Sequence, residues 1–295
     1  MSSAGSDSGV RLLGAGDIRG IAGRLGVRPT KRLGQNFVVE PGTVRKIAAL
    51  AAPRSGDVIL EIGPGLGSLT LALLEAAAAA GDARLVAVEI DPVLAAELPK
   101  TIADRSPEFA GLVDVAAADG LAIGEADVGK PTVLAANLPY NVAVPVLLNL
   151  LAALPSLERG IVMVQAEVAD RMCAGPGGRV YGAPSAKLAW YGSARAAGTV
   201  PRSVFWPVPN VDSKLVAFTR HDPPSTSASR AEVFAVIDAA FGQRRKTLRA
   251  ALSGWAGSPA AAERLLRAAG VDPGARGESL PVADFARIAQ AARDR

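Results

Sequence analysis

The middle of the 295-residue chain alternates short runs of apolar, often β-branched residues with longer stretches rich in alanine and leucine. Polar, glycine or proline residues bound each run, which is typical of a buried strand, and the stretches between the first runs have helical length. A repeated strand, helix, strand order predicts a mostly parallel sheet with helices on both faces. The predicted strands are 57–63, 83–90, 112–118, 132–138 and 160–165.

Two helices are predicted between these strands. One covers 67–82 and is stopped by Gly81, and the other covers 91–105 with Pro92 in its first turn. Residues 214–221 predict an additional strand, which we expect to be antiparallel.

The turn-rich stretch 222–229 predicts a linker between an α/β part and an Ala/Leu/Arg-rich helical tail. We therefore expect a flexible N-terminal arm at 1–27, an α/β domain at 28–223 and a helical, RNA-binding domain at 224–295. The Gly/Ser content of the first residues is the reason for expecting a mobile arm.

Composition excludes several classes of site and location. A single cysteine and a single histidine rule out a disulfide framework and the usual zinc sites, so no metal is expected. The first twenty residues lack the apolar core of a signal peptide, and the longest apolar stretches are interrupted by polar residues or proline. We expect a cytoplasmic protein without membrane contact.

Charge is unevenly spread along the chain. Residues 1–32 hold six basic and two acidic residues, and residues 225–295 hold eleven and seven, whereas the segment between them is acidic. This distribution suggests that the flanks contact a polyanion while the centre holds a small cationic or polar ligand. A chance distribution of solvated surface charge would look the same.

A glycine-rich turn follows the first predicted strand and opens the first helix. Gly63, Gly65 and Gly67 let the backbone turn tightly and approach a ligand, which suits a dinucleotide, S-adenosylmethionine or a plain strand-to-helix connection. Glu61 brings a carboxylate close, and Pro64 removes one backbone donor, so a pyrophosphate is disfavoured. A cationic sulfonium and amino-acid cofactor fits the turn better.

Polar or glycine residues also close successive strands. Because ligands of open α/β sheets lie at the carboxyl ends of the strands, these residues should converge on one crevice. Helix capping is the alternative, more plausible for Asp91 than for the others. The strand-end residues are Gly63, Glu89, Asp119 and Asn137.

The sequence Asn137-Leu138-Pro139-Tyr140 suits the presentation of an exocyclic adenine amine to a methyl group. The Asn137 side-chain oxygen and the Leu138 carbonyl can accept hydrogen bonds from the amine. Pro139 fixes the turn, and Tyr140 offers a ring on which the base can stack. A plain strand end with a proline turn is the alternative.

Five segments, in this order, resemble the ribosomal RNA adenine dimethyltransferase family, and within it the small-subunit enzymes, from about Arg28 to Ala289. The resemblance implies a Rossmann-like S-adenosylmethionine-dependent methyltransferase sheet with a small C-terminal helical domain. It implies N6,N6-dimethylation of two adjacent adenosines in the 3′-terminal hairpin loop of small-subunit rRNA, in a pre-30S particle, by a monomer. The segments are KRLGQNFVVEPG, EIGPGLGSLT, NLPYNVAVPVLLNLL, FWPVPNVDSKLV and FGQRRKTLRAAL.

The same resemblance assigns roles to residues. Tyr140 and Phe205 would sandwich the target adenine beside Asn137, Leu138 and Pro139. Residues before and after the first strand would hold the cofactor, namely Asn36, Val38, Gly63, Gly65, Glu89, Asp119 and Asn137.

The chain departs from the family pattern in two places. Val208 replaces a proline and Asn210 replaces a lysine, which puts loop stiffness and one phosphate contact in doubt. Val38 and Val39 replace a leucine and a polar residue, so only a backbone contact of Val38 is expected.

RNA contacts are expected from two basic clusters, Arg28, Lys31 and Arg32 in the first and Arg244, Arg245, Lys246 and Arg249 in the second. The second cluster is predicted to open a helix and to face phosphates, with a solvated helix face as the alternative.

Two other functions remain open from the sequence. One is the related large-subunit rRNA adenine methyltransferase that confers macrolide resistance, and the other is a non-catalytic ribosome-assembly or transcription factor with the same fold.

Overall fold

The structure, a computed structural model, describes residues 9–27, 36–139 and 142–294. Its main sheet has seven strands in the order β4-β3-β2-β5-β6-β9-β7, and a separate two-stranded sheet pairs β1 with β8. The strands are β1 Phe37–Val38, β2 Val58–Ile62, β3 Arg84–Glu89, β4 Val113–Ala117, β5 Val133–Asn137, β6 Arg159–Gln165, β7 Gly192–Val200, β8 Phe205–Trp206 and β9 Ser213–Arg220.

The five strands predicted from apolar runs are β2 to β6, and all four of their pairings are parallel. β9 runs antiparallel to β6, with Val162 opposite Val216. The predicted α/β fold class and the antiparallel strand at 214–221 are therefore confirmed. The run at 57–63 is apolar almost throughout because β2 lies between β3 and β5 with both faces covered.

The order of the parallel strands reverses between β2 and β5, which are neighbours in the sheet. The connection from β2 leads to β3 on one side, whereas the chain returns later to place β5 on the other. Connections leave in opposite directions at such a point, which opens a crevice at the carboxyl ends of the two strands. Gly63 follows β2 at this crevice and Asn137 ends β5.

The predicted helices at 67–82 and 91–105 are confirmed as α3 and α4. The Asp91 carboxylate accepts a hydrogen bond from the Val93 amide at 2.9 Å, so this aspartate caps α4. The helices are α1 Ala15–Leu25, α2 Pro41–Ala51, α3 Ser68–Ala80, α4 Pro92–Arg105, α5 Glu125–Val128, α6 Ala143–Ala153, α7 Ala166–Met172, α8 Ala183–Ala189, α9 Arg230–Gly242, α10 Leu248–Ala251, α11 Ser253–Ala256, α12 Pro259–Ala268 and α13 Val282–Arg293.

Residues 9–27 do not form the flexible arm expected from the sequence. Helix α1 buries Ile18 and Ile21 in the main hydrophobic core. The Asp17 carboxylate accepts a hydrogen bond from Arg105 of α4 at 2.7 Å. Apolar burial and ion pairing together hold α1 in place, and the first eight residues lie outside the described part of the chain.

The chain folds as two compact units. The first comprises the chain up to Ala169 together with Ala196–Thr219, and the second comprises Asp170–Arg195 with the chain from Arg220 onward. The boundary expected after residue 223 separates most of the tail, but it assigns 170–195 to the α/β domain, whereas these residues fold with the tail.

The second unit has its own aromatic core. Tyr181 packs edge-on against Phe241 with ring centroids 5.8 Å apart, and Phe241 contacts Phe285. The buried Tyr181 hydroxyl donates to the Leu280 carbonyl at 2.9 Å, which satisfies its polar group.

Among the described residues, no helix combines the length and apolar character needed to cross a bilayer. Within the same ranges, no cluster of three or more histidine, cysteine, aspartate or glutamate side chains is arranged to hold a metal ion.

Candidate active site

A crevice opens at the carboxyl ends of β2, β3 and β5, and we call it the cofactor crevice. Its empty volume is about 660 Å³, which includes space open to solvent. The structure brings together here six of the seven residues predicted to bind cofactor: Asn36, Val38, Gly63, Gly65, Glu89 and Asn137.

The glycine turn at the floor of the crevice needs its glycines. Gly63, Gly65 and Gly67 have φ values of 70°, 59° and 97°, a region that side chains rarely enter. A Cβ on Gly65 would also lie 2.9 Å from the Phe37 ring. The turn therefore exposes bare backbone to a ligand and lets the Phe37 ring pack directly against it.

Glu89 closes β3 and fixes the glycine turn. Its two carboxylate oxygens accept hydrogen bonds from the Gly65 and Asp91 amides, each at 2.9 Å. Burial raises the pKa of Glu89, while the Asp91 and Gly65 amides oppose that effect. Each oxygen keeps a further lone pair, so Glu89 can also accept from the hydroxyl groups of a ligand.

Glu61 lies in β2 beneath the turn and is 1% exposed. Its Oε2 atom has no hydrogen-bond partner among the described residues. Burial raises the pKa of Glu61 to about 8 and the Glu89 charge adds to the rise, while the nearby Thr70 hydroxyl, whose oxygen makes no hydrogen bond among the described residues, opposes it only in part. A buried, unpaired carboxyl group is costly, so one that faces a crevice indicates a place for a cationic ligand.

Asn137 and Asn36 meet at the edge of the crevice. The Asn137 amide nitrogen donates to the Asn36 carbonyl at 3.1 Å. Because a carbonyl only accepts, this bond fixes the orientation of the amide and leaves its oxygen as the acceptor on the other branch. The Asn137 amide oxygen is therefore left as an acceptor at the edge of the crevice.

The strand that follows Asn36, β1, is held from the other side by β8. Val38 pairs with Phe205, Phe37 pairs with Trp206, and the Val39 amide donates to the Val204 carbonyl at 2.8 Å. The Phe37 and Trp206 rings are stacked with centroids 6.3 Å apart.

Asp119, the seventh predicted cofactor residue, lines the continuation of the crevice with Pro139. Its Oδ1 atom accepts from the Leu121 amide at 2.9 Å. Ile90 and Leu121 are exposed apolar side chains in the same region, and their position fits a flat apolar ring. Gly63 and Ile90 line both parts, so the crevice is continuous.

Of the predicted catalytic segment, Asn137, Leu138 and Pro139 belong to the described residues. The Leu138 amide donates to the Met163 carbonyl at 3.1 Å, and the Val142 amide donates to the Pro139 carbonyl at 3.1 Å. The chain therefore turns directly after β5. Tyr140 lies between described segments and outside them.

Phe205 is placed differently from its predicted role. It is 2% exposed and belongs to the hydrophobic core cluster. The ring has no free face in this structure, so its position gives no support to a sandwich with Tyr140 around adenine.

The basic residues predicted to contact RNA fall into two groups. Arg28, Lys31 and Arg32 lie outside the described residues. Arg245 and Lys246 are exposed, with no partner among the described side chains.

The other two tail arginines are engaged inside the second unit. Arg244 pairs with Glu278 at 2.8 Å, and Arg249 pairs with Glu263 at 3.1 Å. Their guanidinium groups are therefore partly committed to protein contacts.

The prediction that Arg244, Arg245 and Lys246 open a helix is wrong. They form a turn between α9 and α10, since Gln243 leaves the helical region with φ −127° and the Lys246 amide donates to the Gln243 carbonyl at 2.8 Å. The next helix, α10, has only four residues. Arg249 alone of the four lies on it.

The fold class of the protein follows from the sheet order, in which an antiparallel strand is inserted beside β6, and from the glycine turn at the switch point. It is the fold of the S-adenosylmethionine-dependent methyltransferases.

The family follows from the comparisons with known proteins. The sequence model of the family described as "Ribosomal RNA adenine dimethylase" matches residues 27–294. The chain is 62% identical to "Ribosomal RNA small subunit methyltransferase A" of Thermobifida fusca, covering 97% of this chain and 98% of that protein. It is 64% identical to the protein of the same name in Kineococcus radiotolerans, covering 94% and 91%. The chain belongs to the ribosomal RNA adenine dimethylase family.

Two solved structures share the fold. A dimethyladenosine transferase from Plasmodium falciparum has a TM-score of 0.70 and 24% identity, over 85% of this chain and 95% of that one. The 23S rRNA methyltransferase ErmE has a TM-score of 0.61 and 24% identity, over 88% and 100%.

Proposed function

We propose that this chain transfers methyl groups from S-adenosylmethionine to the N6 atoms of two adjacent adenosines near the 3′ end of small-subunit rRNA, within a pre-30S particle. The observation that carries the proposal is the cofactor crevice, where a buried unpaired carboxyl group lies beneath a glycine turn and beside a strand-end asparagine. The name shared by relatives 58–64% identical to the chain supports the small subunit over the large one.

The residues present fit S-adenosylmethionine. Glu61 supplies a carboxylate for the ammonium of the methionine part, which gives its unpaired Oε2 atom a partner. Glu89 accepts from ribose hydroxyls, and Asp119 accepts from the adenine amine. When bound, this cofactor supplies an electrophilic methyl group on a sulfonium. Ile90 and Leu121 would enclose its adenine ring.

The acceptor nitrogen is presented by the end of β5. An adenine amine is a weak nucleophile because its lone pair is delocalised into the ring. The Asn137 oxygen and the Leu138 carbonyl accept its two hydrogens and so turn the lone pair towards the methyl group. Alignment of this kind supplies much of the rate, and no histidine base is needed. Tyr140 stacks on the base in this proposal.

The direct test is transfer of labelled methyl groups to 30S particles lacking this modification, with 50S particles in parallel and nuclease digestion to identify the base. We expect N6,N6-dimethyladenosine from 30S particles only. Label confined to 50S particles would assign the chain to the large-subunit enzymes. Cofactor binding without label in either particle would indicate a binding factor.

A further inference from the structure

The loop after β7 is fastened by one arginine. Arg202 opens a short 3₁₀ turn before β8, and its Nη1 atom donates to the Asn210 carbonyl at 3.2 Å. Its Nε atom lies 3.4 Å from the Asp212 carboxylate. The Arg202 side chain nonetheless remains 51% exposed.

This arginine lies against the position where the chain departs from the family pattern. Asn210 stands where the resembling segment has a lysine, so the loop lacks a positive charge at that position. The guanidinium of Arg202 reaches the backbone of the same residue. The loop is therefore cationic at this point, although its charge comes from eight positions earlier in the chain.

Backbone pairing connects the loop to β1, the strand beside the cofactor crevice. Arg202 is followed by Val204, whose carbonyl accepts from the Val39 amide at 2.8 Å. The next residue, Phe205, pairs with Val38 in β1. Because β1 begins beside Asn36, the partner of Asn137, a nucleic acid whose base reaches Asn137 would run past this loop.

Arg202 has hydrogen-bond donors that its contacts with Asn210 and Asp212 do not use. A guanidinium carries five N–H groups, and the contacts with Asn210 and Asp212 occupy two of them. A half-exposed ion pair at 3.4 Å is weak and is screened by salt, so Asp212 does not cancel the charge. The remaining N–H groups form the planar fork that binds phosphate in a bidentate manner.

We propose that Arg202 binds a backbone phosphate of the rRNA beside the target adenosines, in place of the lysine that the family pattern has at position 210. The assignment rests on the proposed function, because it takes the rRNA as the ligand.

The test measures binding of the full chain to 30S particles lacking the modification, over a series of salt concentrations. Arg202→Gln should lower the slope of log affinity against log salt by about 0.7 to 0.9, and weaken binding about four- to sixfold at about 0.15 M salt. Arg54→Gln is the matched control. That exposed arginine precedes β2 at the amino ends of the parallel strands, away from the crevice at their carboxyl ends, and its loss should leave the slope unchanged.

A second variant separates charge from loop structure. The double variant Arg202→Gln, Asn210→Lys restores a cation but not the contacts of Arg202 with Asn210 and Asp212. It should therefore recover most of the slope of log affinity against log salt. An unchanged slope in Arg202→Gln would overturn the assignment, and so would a lowered affinity that the added lysine does not rescue. A wild-type chain that neither binds nor methylates 30S particles would instead refute the proposed function. Methylation by the wild type with an unchanged Arg202→Gln slope refutes only the role of Arg202.

Discussion

Strand β2 has a buried carboxyl group at each end, and the two groups differ in how many hydrogen-bond partners they have. Asp57, directly before the strand, is 7% exposed, and both of its oxygens are engaged. Thr132 donates to one at 2.7 Å, while the Arg54 amide at 2.7 Å and Arg159 donate to the other. Glu61, near the far end, is 1% exposed and has one oxygen without a partner among the described residues.

The pKa values follow from these surroundings. Burial alone would raise the pKa of Asp57, but the Thr132 and Arg159 side chains and the Arg54 amide lower it below its usual value. Burial raises the pKa of Glu61 to about 8, since the Thr70 hydroxyl is not enough to offset it.

This difference in partners indicates that Asp57 has a structural role and that Glu61 has a role in ligand binding. Contacts of Asp57 join β2, β5 and β6 at the amino ends of the strands, so this carboxylate holds the sheet together. Glu61, at the carboxyl ends, leaves its hydrogen-bonding capacity for a ligand. A protein tolerates such a cost where binding repays it.

The largest expected effect is on the stability of Asp57→Ala. The change removes the carboxylate partner of the largely buried Arg159, which keeps only the Ala52 carbonyl and a 3.8 Å contact with Glu158, so the free energy of unfolding should fall by about 3 kcal/mol in urea denaturation. Cofactor affinity of the folded fraction should be unchanged. Asp82→Asn is the control, because Asp82 accepts from Ser55 and Gly56 in the same corner but is exposed, and its loss should matter much less. If Asp57→Ala weakened cofactor binding as strongly as a change at Glu61, the two ends would not differ as described.

Glu61→Gln should show the reverse pattern. A neutral amide fits the same space but cannot pair with an ammonium, so cofactor affinity should fall about 10- to 100-fold by calorimetry, as for the loss of a charge-assisted hydrogen bond. Stability of the free protein should not fall at neutral pH, because glutamine avoids ionisation in a buried site. Glu75→Gln on α3, which removes a partner of Arg45 at the surface, should leave the affinity unchanged. Equal affinities of Glu61→Gln and wild type would contradict the role of Glu61.

The smallest effect, counted per pH unit, is a pH dependence of stability with opposite sign at the two ends. From the model-peptide pKa of 4.5 to about 8, folded Glu61 keeps a proton that the unfolded chain has released, so stability falls as pH rises. The slope is at most roughly 1.4 kcal/mol per pH unit and should flatten in Glu61→Gln.

Asp57 affects stability at lower pH than Glu61 does. Its pKa is lowered from 3.8, so its stabilisation is present above that pH and is lost as pH falls through the folded value. Unfolding free energies measured from pH 3 to about 9 would reveal both effects, and a Glu61→Gln slope equal to wild type would contradict the assignment.

Much of this architecture was predictable because it depends on local pattern. Short, mainly apolar runs predict β2 to β6, and proline and glycine predict the limits of α3 and α4. The convergence of the strand-end residues followed from parallel topology, and the structure places Gly63, Glu89 and Asn137 around one crevice.

The rest depends on burial and long-range pairing, which sequence does not display. The sequence shows Glu61 as a nearby carboxylate, but its missing partner is visible only in three dimensions. The run of basic residues predicts an RNA contact at Arg244, although Glu278 pairs with it from 34 positions away. Helical spacing of Ile18, Ile21 and Ala22 indicates α1, whereas the Gly/Ser content of the first residues favours a mobile arm.

The most direct test of the central claim is a count of protons released when S-adenosylmethionine binds. Titration calorimetry at pH 7, in two buffers of different ionisation enthalpy, gives this number. Free Glu61 carries a proton at this pH and loses it when an ammonium pairs with it, so wild type should release about one proton, and Asp57→Asn the same. Glu61→Gln should release none. Equal proton release by wild type and Glu61→Gln would contradict the claim that β2 keeps this carboxyl group for the cofactor.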